Sequence, residues 1–317
     1  MKQYKFAMVF PGQGSQIVGM LSDLANNFVI VEQIFAEASD VLGYDLWKLV
    51  KEGPTEKLNI TYHTQPALLA SSIAIYYIWN QHNGLLPRIM AGHSLGEYSA
   101  LVCAGVLDFK DAIYLVALRG KLMEEAVPAG TGVMAAILGL NYKIISNICT
   151  ELTPKGKVFL ANFNAPNQVV IAGYKDAVER ASVACIAAGA KRVLRLQVTV
   201  PSHCAMMQSA AQKLSLALQK ITFNIPKFAV INNVDVKVTF LPEEIRNALV
   251  CQMYSPVRWS ESVKRMATEG VTHLLEIGPG NVLANLTKHI VTDMTATAIN
   301  NYKSLSFALA HFRGDKE

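Results

Sequence analysis

The stretch Pro87-Arg88-Ile89-Met90-Ala91-Gly92-His93-Ser94-Leu95-Gly96-Glu97-Tyr98 decides how this chain is read. Residues 87–91 form a short apolar run suited to a buried strand. The Ala- and Leu-rich segment Leu95–Val106 suits a helix. Between them, Gly92-His93-Ser94-Leu95-Gly96 is a G-x-S-x-G pentapeptide in a strand–turn–helix setting. There it predicts a nucleophile elbow, with flanking glycines that let the chain turn sharply and hold the Ser94 hydroxyl clear of the backbone. The N–H of Leu95 then lies at a helix N-terminus, suited to stabilising an oxyanion. The plainer alternative is a glycine-bounded loop with a surface serine.

Outward from the elbow, short apolar segments alternate with helical ones. Tyr4–Phe10 reads as a central strand that runs into the turn Pro11-Gly12-Gln13-Gly14-Ser15. Helical patterns follow at Phe28–Leu42, Asp45–Val50 and Pro66–Trp79. This alternation predicts a parallel sheet covered on both faces. From Gly132 the rhythm changes. Strand Val133–Leu140, helix Tyr142–Leu152, strands Lys157–Asn162 and Gln168–Gly173, helix Lys175–Ala188 and strand Arg192–Val198 give the order βαββαβ, a ferredoxin-like unit. The α/β pattern then resumes with helix Cys204–Leu218, strand Ala229–Asn232, helix Glu243–Gln252, strand His273–Ile277 and helix Val282–Lys288. The expected division is one large domain, residues 1–130 and 199–317, with a small domain at 131–198. Residues Arg313–Glu317 read as a loose tail.

Composition narrows the function. In 317 residues, 51% are hydrophobic and 17% charged, as in a well-buried α/β enzyme. The net charge of +5 comes without any Lys/Arg block, so nucleic-acid binding is not expected. The excess would help attract an acidic or phosphorylated partner. Five cysteines without a C-x-x-C pair argue against a disulfide framework or zinc site and for a reducing compartment, the cytoplasm. The longest apolar run, Pro66–Trp79, is too short and too polar to span a bilayer, so no membrane association is expected.

A serine nucleophile needs a base and an oxyanion hole. Of seven histidines, His203 stands in Val200-Pro201-Ser202-His203-Cys204, a loop between a strand and a helix, where catalytic groups collect. A structural histidine fits the same place. Gly12-Gln13-Gly14 lacks the third glycine of a dinucleotide site and the lysine of a phosphate loop. It reads either as a tight turn or as a loop donating a second oxyanion N–H from Gln13. Arg119 lies near the end of a predicted apolar helix, Asp111–Arg119, either as a surface charge or as a buried guanidinium with a fixed anionic partner.

Taken together, Phe10-Pro11-Gly12-Gln13-Gly14-Ser15-Gln16, Thr64-Gln65-Pro66-Ala67, Gly92-His93-Ser94-Leu95-Gly96-Glu97-Tyr98, Arg119-Gly120, Pro201-Ser202-His203-Cys204, Gln252-Met253-Tyr254 and Glu276-Ile277-Gly278-Pro279-Gly280 resemble the malonyl-CoA:acyl carrier protein transacylase family. The motifs stand in the family's order from residue 6 to about 290. The resemblance implies an α/β-hydrolase-like core with the ferredoxin-like insertion. It also implies that malonyl groups move from malonyl-CoA to acyl carrier protein in fatty acid biosynthesis, without a cofactor or metal.

Position by position, the resemblance makes Ser94 the acylated nucleophile and His203 its base. Leu95 and Gln13 supply the oxyanion N–H groups, Arg119 holds the malonyl carboxylate, and Gln252 orients the histidine through its backbone carbonyl. Gln65 and Asn162 fall at substrate-binding positions. Here Ala165-Pro166-Asn167-Gln168 replaces the usual Ser-Pro-Gly-Gln; asparagine tolerates the left-handed conformation that a turn glycine supplies, so the hairpin is expected to survive. Lys191 and Arg192 are candidates for CoA or carrier phosphates, or else a solvated basic pair. The chain is expected to act as a monomer. A serine esterase would need a third acid, which is not evident, and a decayed binding module would have lost Ser94, His203 or Arg119.

Overall fold

Every residue of the first strand, Phe6-Ala7-Met8-Val9-Phe10, is buried, which requires apolar cover on both of its faces. The computed structural model, which describes residues 5–155, 157–198 and 200–313, supplies that cover. Among those residues the strands in chain order are β1 (Phe6–Phe10), β2 (Ile89–Gly92), β3 (Gly132–Leu138), β4 (Val158–Ala165), β5 (Gln168–Tyr174), β6 (Arg192–Arg195), β7 (Ala229–Ile231), β8 (His273–Ile277) and β9 (Thr295–Ile299). Five of them pair in parallel in the order β7-β2-β1-β8-β9. Side chains alternate across this sheet. Phe6, Met8 and Phe10 therefore join the core built on helix Thr61–Gln81, and Ala7 and Val9 join a second core around Trp259 and Val263.

The register sets the site. Phe10 pairs with Gly92 and Val9 with Glu276, so the chain leaves β1, β2 and β8 side by side at the carboxyl edge of the sheet. The Gly12–Gln13 turn and the Ser94 elbow both emerge there, where open α/β sheets place their ligands.

The remaining strands form an antiparallel sheet in the order β4-β5-β3-β6. With helices Tyr142–Leu152 and Lys175–Ala187 between them, they make the expected ferredoxin-like unit. Val133, Ala135 and Ile137 of β3 pack beneath these helices, whereas Met134 and Ala136 face the other way and pack with Cys204, next to His203. The backbone of β4 also pairs with the loop at Val257.

Helix Thr61–Gln81 begins well before Pro66, where the sequence predicted its start. Proline lacks an N–H and is best tolerated in the first turn. Here the early turn is held from outside, by the Glu124 carboxylate accepting the Thr61 N–H at 2.8 Å. The β4–β5 hairpin forms around Pro166-Asn167, but Asn167 is not among the residues with positive φ, so no left-handed residue is needed there. The strand expected to run to Val198 ends at Arg195. Helix Trp259–Thr268, edge strand β9 and helix Tyr302–Arg313 went unread in the sequence, as did the four-residue helices Ser22–Ala25 and Thr55–Leu58. Arg313 thus closes a helix, while Tyr4 and the tail residues 314–317 lie outside the described residues. All five cysteines are free thiols. Among the described residues, no helix is long and apolar enough to cross a membrane.

Candidate active site

At the elbow, Ser94 adopts φ +53°, a left-handed conformation that costs a non-glycine residue roughly 1–2 kcal/mol. Its surroundings hold it there. The Ser94 N–H donates to Asn233 Oδ1 at 2.7 Å, Asn233 Nδ2 donates to the Gly92 carbonyl at 2.6 Å, and the His93 N–H donates to the Phe10 carbonyl at 2.9 Å. The two glycines are obligatory for contact reasons. A Cβ on Gly92 would lie 1.8 Å from the Gly96 carbonyl carbon, and one on Gly96 would lie 2.0 Å from the Phe10 oxygen.

His203 reaches the elbow from the loop before helix Gln208–Leu218, itself at φ +61° with its N–H on the Met253 carbonyl at 3.1 Å. Its Nε2 lies 2.7 Å from Ser94 Oγ, and its Nδ1 lies 2.8 Å from the carbonyl oxygen of Gln252. Gln252 is the last residue of helix Pro242–Gln252, where carbonyls have no partner within the helix and are free for a side chain. Burial, with the Arg119 charge adding to it, pushes the His203 pKa down to about 3, against the opposing bond to Gln252. The imidazole is neutral and faces the serine with its lone pair.

Arg119 lies inside helix Phe109–Glu125 and is 1% exposed, so it is not a surface charge. Its Nη1 donates to Gln65 Oε1 at 2.9 Å. Its Nη2 donates to Gln252 Oε1 at 2.9 Å and to Ser94 Oγ at 3.2 Å. The guanidinium sits 5.7 Å from the centre of the Tyr98 ring. Among the described residues no carboxylate makes an ion pair with it. A buried cation beside a serine–histidine pair, held by neutral amides, is chemically suited to a carboxylate-bearing acyl group.

The Gly12–Gln13 turn is pressed against the elbow, since a Cβ on Gly12 would lie 2.4 Å from the His93 carbonyl oxygen. Among the described residues the N–H groups of Gln13 and Leu95 have no hydrogen-bond acceptor. Leu95 stands at the head of helix Gly96–Cys103, where free N–H groups and the helix dipole favour negative charge.

Asn162 lies beside the site in β4. Its Nδ2 is 3.4 Å from His93 Nε2, which bonds Asn164 Oδ1 at 2.8 Å, and its Oδ1 is buried without a partner. These three side chains line a cavity of about 200 Å³ together with Gln13, Gln168 and Leu196. A larger cavity, about 570 Å³, shares Gln13 and Leu196 and continues along Gln16, Val18 and Asn59.

Lys191, just before edge strand β6, and Arg192, its first residue, are both exposed, and neither makes a hydrogen bond to these groups among the described residues. Directly paired residues in an antiparallel sheet share a face. Leu138 pairs with both Gln168 and Arg192, so Arg192 is on the cavity side of the sheet.

Two groups in the site escaped the sequence reading. Glu97, 2% exposed, accepts from Gln252 Nε2 at 2.9 Å and from the Asn233 N–H at 3.0 Å. Burial raises its pKa to about 7, against these bonds and the Arg119 charge. Asn233 is wholly buried. Glu97 stood within the elbow motif, but an acid in the first turn of a helix is ordinary. Nothing beside the three-residue strand β7 marked Asn233.

Known proteins resemble this chain over nearly its whole length. The acyl transferase domain model matches residues 7–305. The malonyl CoA-acyl carrier protein transacylase of Escherichia coli O157:H7 is 60% identical over 96% of this chain and 99% of its own length. The enzyme of that name from Bacillus subtilis is 42% identical over 99% of both chains. Among solved structures, a malonyl-transacylase in complex with a type II polyketide synthase acyl-carrier protein superposes with a TM-score of 0.96 at 61% identity, covering 97% of this chain and 99% of that one. An acyl carrier protein S-malonyltransferase from Vibrio cholerae gives 0.93 at 58% identity, covering 96% and 99%. The chain belongs to the malonyl-CoA:acyl carrier protein transacylases of the acyl transferase family.

Proposed function

We propose that the chain transfers malonyl groups from malonyl-CoA to the phosphopantetheine thiol of acyl carrier protein through an acyl-serine intermediate. The observation that carries this reading is the position of Ser94 Oγ, within hydrogen-bond reach of both a neutral His203 and the buried Arg119. Ser94 Oγ attacks the thioester carbon as its proton passes to His203 Nε2. The N–H groups of Gln13 and Leu95 hold the oxyanion. The carbon–sulfur bond breaks, the proton returns from His203 to the departing CoA sulfur, and malonyl-Ser94 remains. In the second half the carrier thiol gives its proton to His203 and attacks the ester. Ser94 leaves, taking the proton back.

In this reading Arg119, aligned by Gln65 and by the Gln252 side chain, holds the malonyl carboxylate. The Gln252 backbone carbonyl keeps His203 in its Nδ1–H tautomer. An acetyl group would give the guanidinium no anion, and a site built around a buried charge rejects the wrong substrate more strongly than one methyl group allows. Thiolates leave readily, so a carbonyl in place of a triad acid suffices to orient the base.

Asn162 and the cavities at Gln13 form the proposed channel for the thioester arm. Lys191 and Arg192 flank its outer end as proposed phosphate contacts. Residues 1–130 and 199–317 would act as the catalytic domain and 131–198 as the domain that closes over the thioester. We place the enzyme in the cytoplasm, as a monomer, serving fatty acid synthesis. The test is intact-mass analysis after mixing with malonyl-CoA or acetyl-CoA, with and without carrier protein. A malonyl adduct absent from Ser94→Ala and discharged by the carrier is expected; full transfer by Ser94→Ala would refute the mechanism.

A further inference from the structure

Arg119 is held by two amide oxygens, and an amide presents either an oxygen or an NH2 depending on a 180° rotation of its last bond. Only the oxygen suits a guanidinium, which has donors alone. The Gln65 amide is weakly fixed at its other end, with Nε2 3.6 Å from Met123 Sδ. The Gln252 amide is fixed firmly, because Nε2 donates to the Ser94 carbonyl at 3.0 Å and to Glu97 Oε2 at 2.9 Å. Both are acceptors that would repel a rotated Gln252 oxygen. The same Glu97 oxygen accepts the N–H of Asn233, whose side chain braces Ser94 and Gly92. The run Glu97–Gln252–Arg119 links this acidic side chain to the guanidinium through one residue, whereas the route by way of Asn233 and Ser94 takes two.

We propose that Glu97 is a positioning residue that sets acyl preference: acting through the Gln252 side chain, its buried carboxyl fixes the Arg119 fork against Ser94. The proposal rests on the malonyl-transfer reading above. Without Glu97 only the Ser94 carbonyl still holds the Gln252 amide, and the oxygen that aims the guanidinium is less firmly fixed. Glu97 and Gln252 also touch the brace of Ser94, so acetyl loading falls too, but a misplaced fork harms a substrate that needs its carboxylate held more strongly than one that does not.

The test compares kcat/KM for malonyl-CoA and acetyl-CoA in the wild-type protein, Glu97→Leu, Glu97→Gln, Gln252→Leu and the Glu97→Leu/Gln252→Leu double variant. Glu97→Leu should lower the malonyl-to-acetyl ratio roughly tenfold to a hundredfold, the scale of small misplacements. Glu97→Gln should restore most of that ratio, because its carbonyl oxygen accepts both N–H groups. The double variant should be no worse than the single ones, as residues acting in series are not additive. Equal loss for both acyl groups, failure of the glutamine to rescue, or additive effects would each overturn the proposal. If Glu97→Leu does not fold, Gln252→Leu carries the comparison, since its backbone carbonyl still faces His203, and an unchanged ratio there overturns the proposal as well. Arg119→Ala separates the two levels. If it keeps the wild-type ratio, the carboxylate clamp itself is wrong; if it abolishes the ratio while Glu97→Leu keeps it, only the role of Glu97 falls.

Discussion

The Nδ1 atom of His203 lies 2.8 Å from the main-chain carbonyl oxygen of Gln252. A carbonyl can only accept, so Nδ1 carries the proton and Nε2 presents its lone pair to Ser94. Unlike a carboxylate, this partner adds no charge to favour the imidazolium. Burial and the nearby Arg119 instead hold the pKa at about 3. A histidine whose folded pKa lies below its unfolded value near 6.5 contributes stability in full above that value and loses it as the pH falls from there toward 3. Nitrogen-15 NMR of histidine-labelled protein should therefore show His203 as the neutral Nδ1–H tautomer from pH 8 to pH 5. A midpoint near 6.5 would contradict the burial argument.

Arg119 tests the acyl preference directly. Its Nη atoms reach Gln65, Gln252 and Ser94 at once, which a lysine ammonium on a thinner stem cannot reproduce. Removing one partner of a buried charge pair costs about 3–5 kcal/mol. At about 1.4 kcal/mol per tenfold, Arg119→Ala should lower kcat/KM for malonyl-CoA by at least about a hundredfold. Acetyl-CoA should lose less than about tenfold, and Arg119→Lys should recover little. Rapid-quench loading assays with both thioesters give the ratio, and equal losses would remove the carboxylate from Arg119.

Gln13 is proposed to act through its backbone, so its side chain is the wrong place to probe. Gly12 is the better handle: a Cβ there would meet the His93 carbonyl at 2.4 Å and push the turn off the elbow. Gly12→Ala should slow acylation of Ser94 by roughly ten- to a hundredfold, somewhat less than the loss of one oxyanion donor, because the turn is displaced and not deleted. Malonyl-CoA affinity, set largely by Arg119 and the thioester arm, should change far less. An unchanged single-turnover rate would take Gln13 out of the oxyanion hole.

The sequence disclosed those features that a few residues determine locally. Gly92 and Gly96 leave no room for a Cβ, so the elbow was legible from its spelling. Helix Tyr142–Leu152 and strand His273–Ile277 have the bounds that periodicity predicts, because each carries one continuous apolar signal. Helix Trp259–Thr268 was missed because its apolar face is only Trp259, Val263 and Met266 among charged neighbours. Edge strand β9, Thr-Ala-Thr-Ala-Ile, has too little apolar bulk to announce itself. The meeting of Ser94 with His203 spans 109 positions and is invisible to any local pattern. Only the family resemblance joined those two residues and Arg119. Glu97 and Asn233 were passed over for the same reason, since their importance lies in what they touch across the fold.

Asn233 shows how much of the elbow depends on a residue outside it. Its Oδ1 takes the Ser94 N–H, its Nδ2 serves the Gly92 carbonyl, and its own N–H reaches Glu97. Asn233→Ala leaves the first two groups buried without partners, at about 1–3 kcal/mol each. With some relaxation the loss should total roughly 2–5 kcal/mol, read as a lower midpoint in urea denaturation. Asn233→Asp keeps the acceptor for Ser94 but turns an oxygen toward the Gly92 carbonyl and places a second carboxyl near buried Glu97. It should therefore be no more stable than the alanine variant, although it is nearly isosteric. Both variants should also load malonyl slowly, because Ser94 holds φ +53° against its own preference and relaxes once the brace is gone. A loss below about 1 kcal/mol in Asn233→Ala would mean that the glycines alone hold the serine in place.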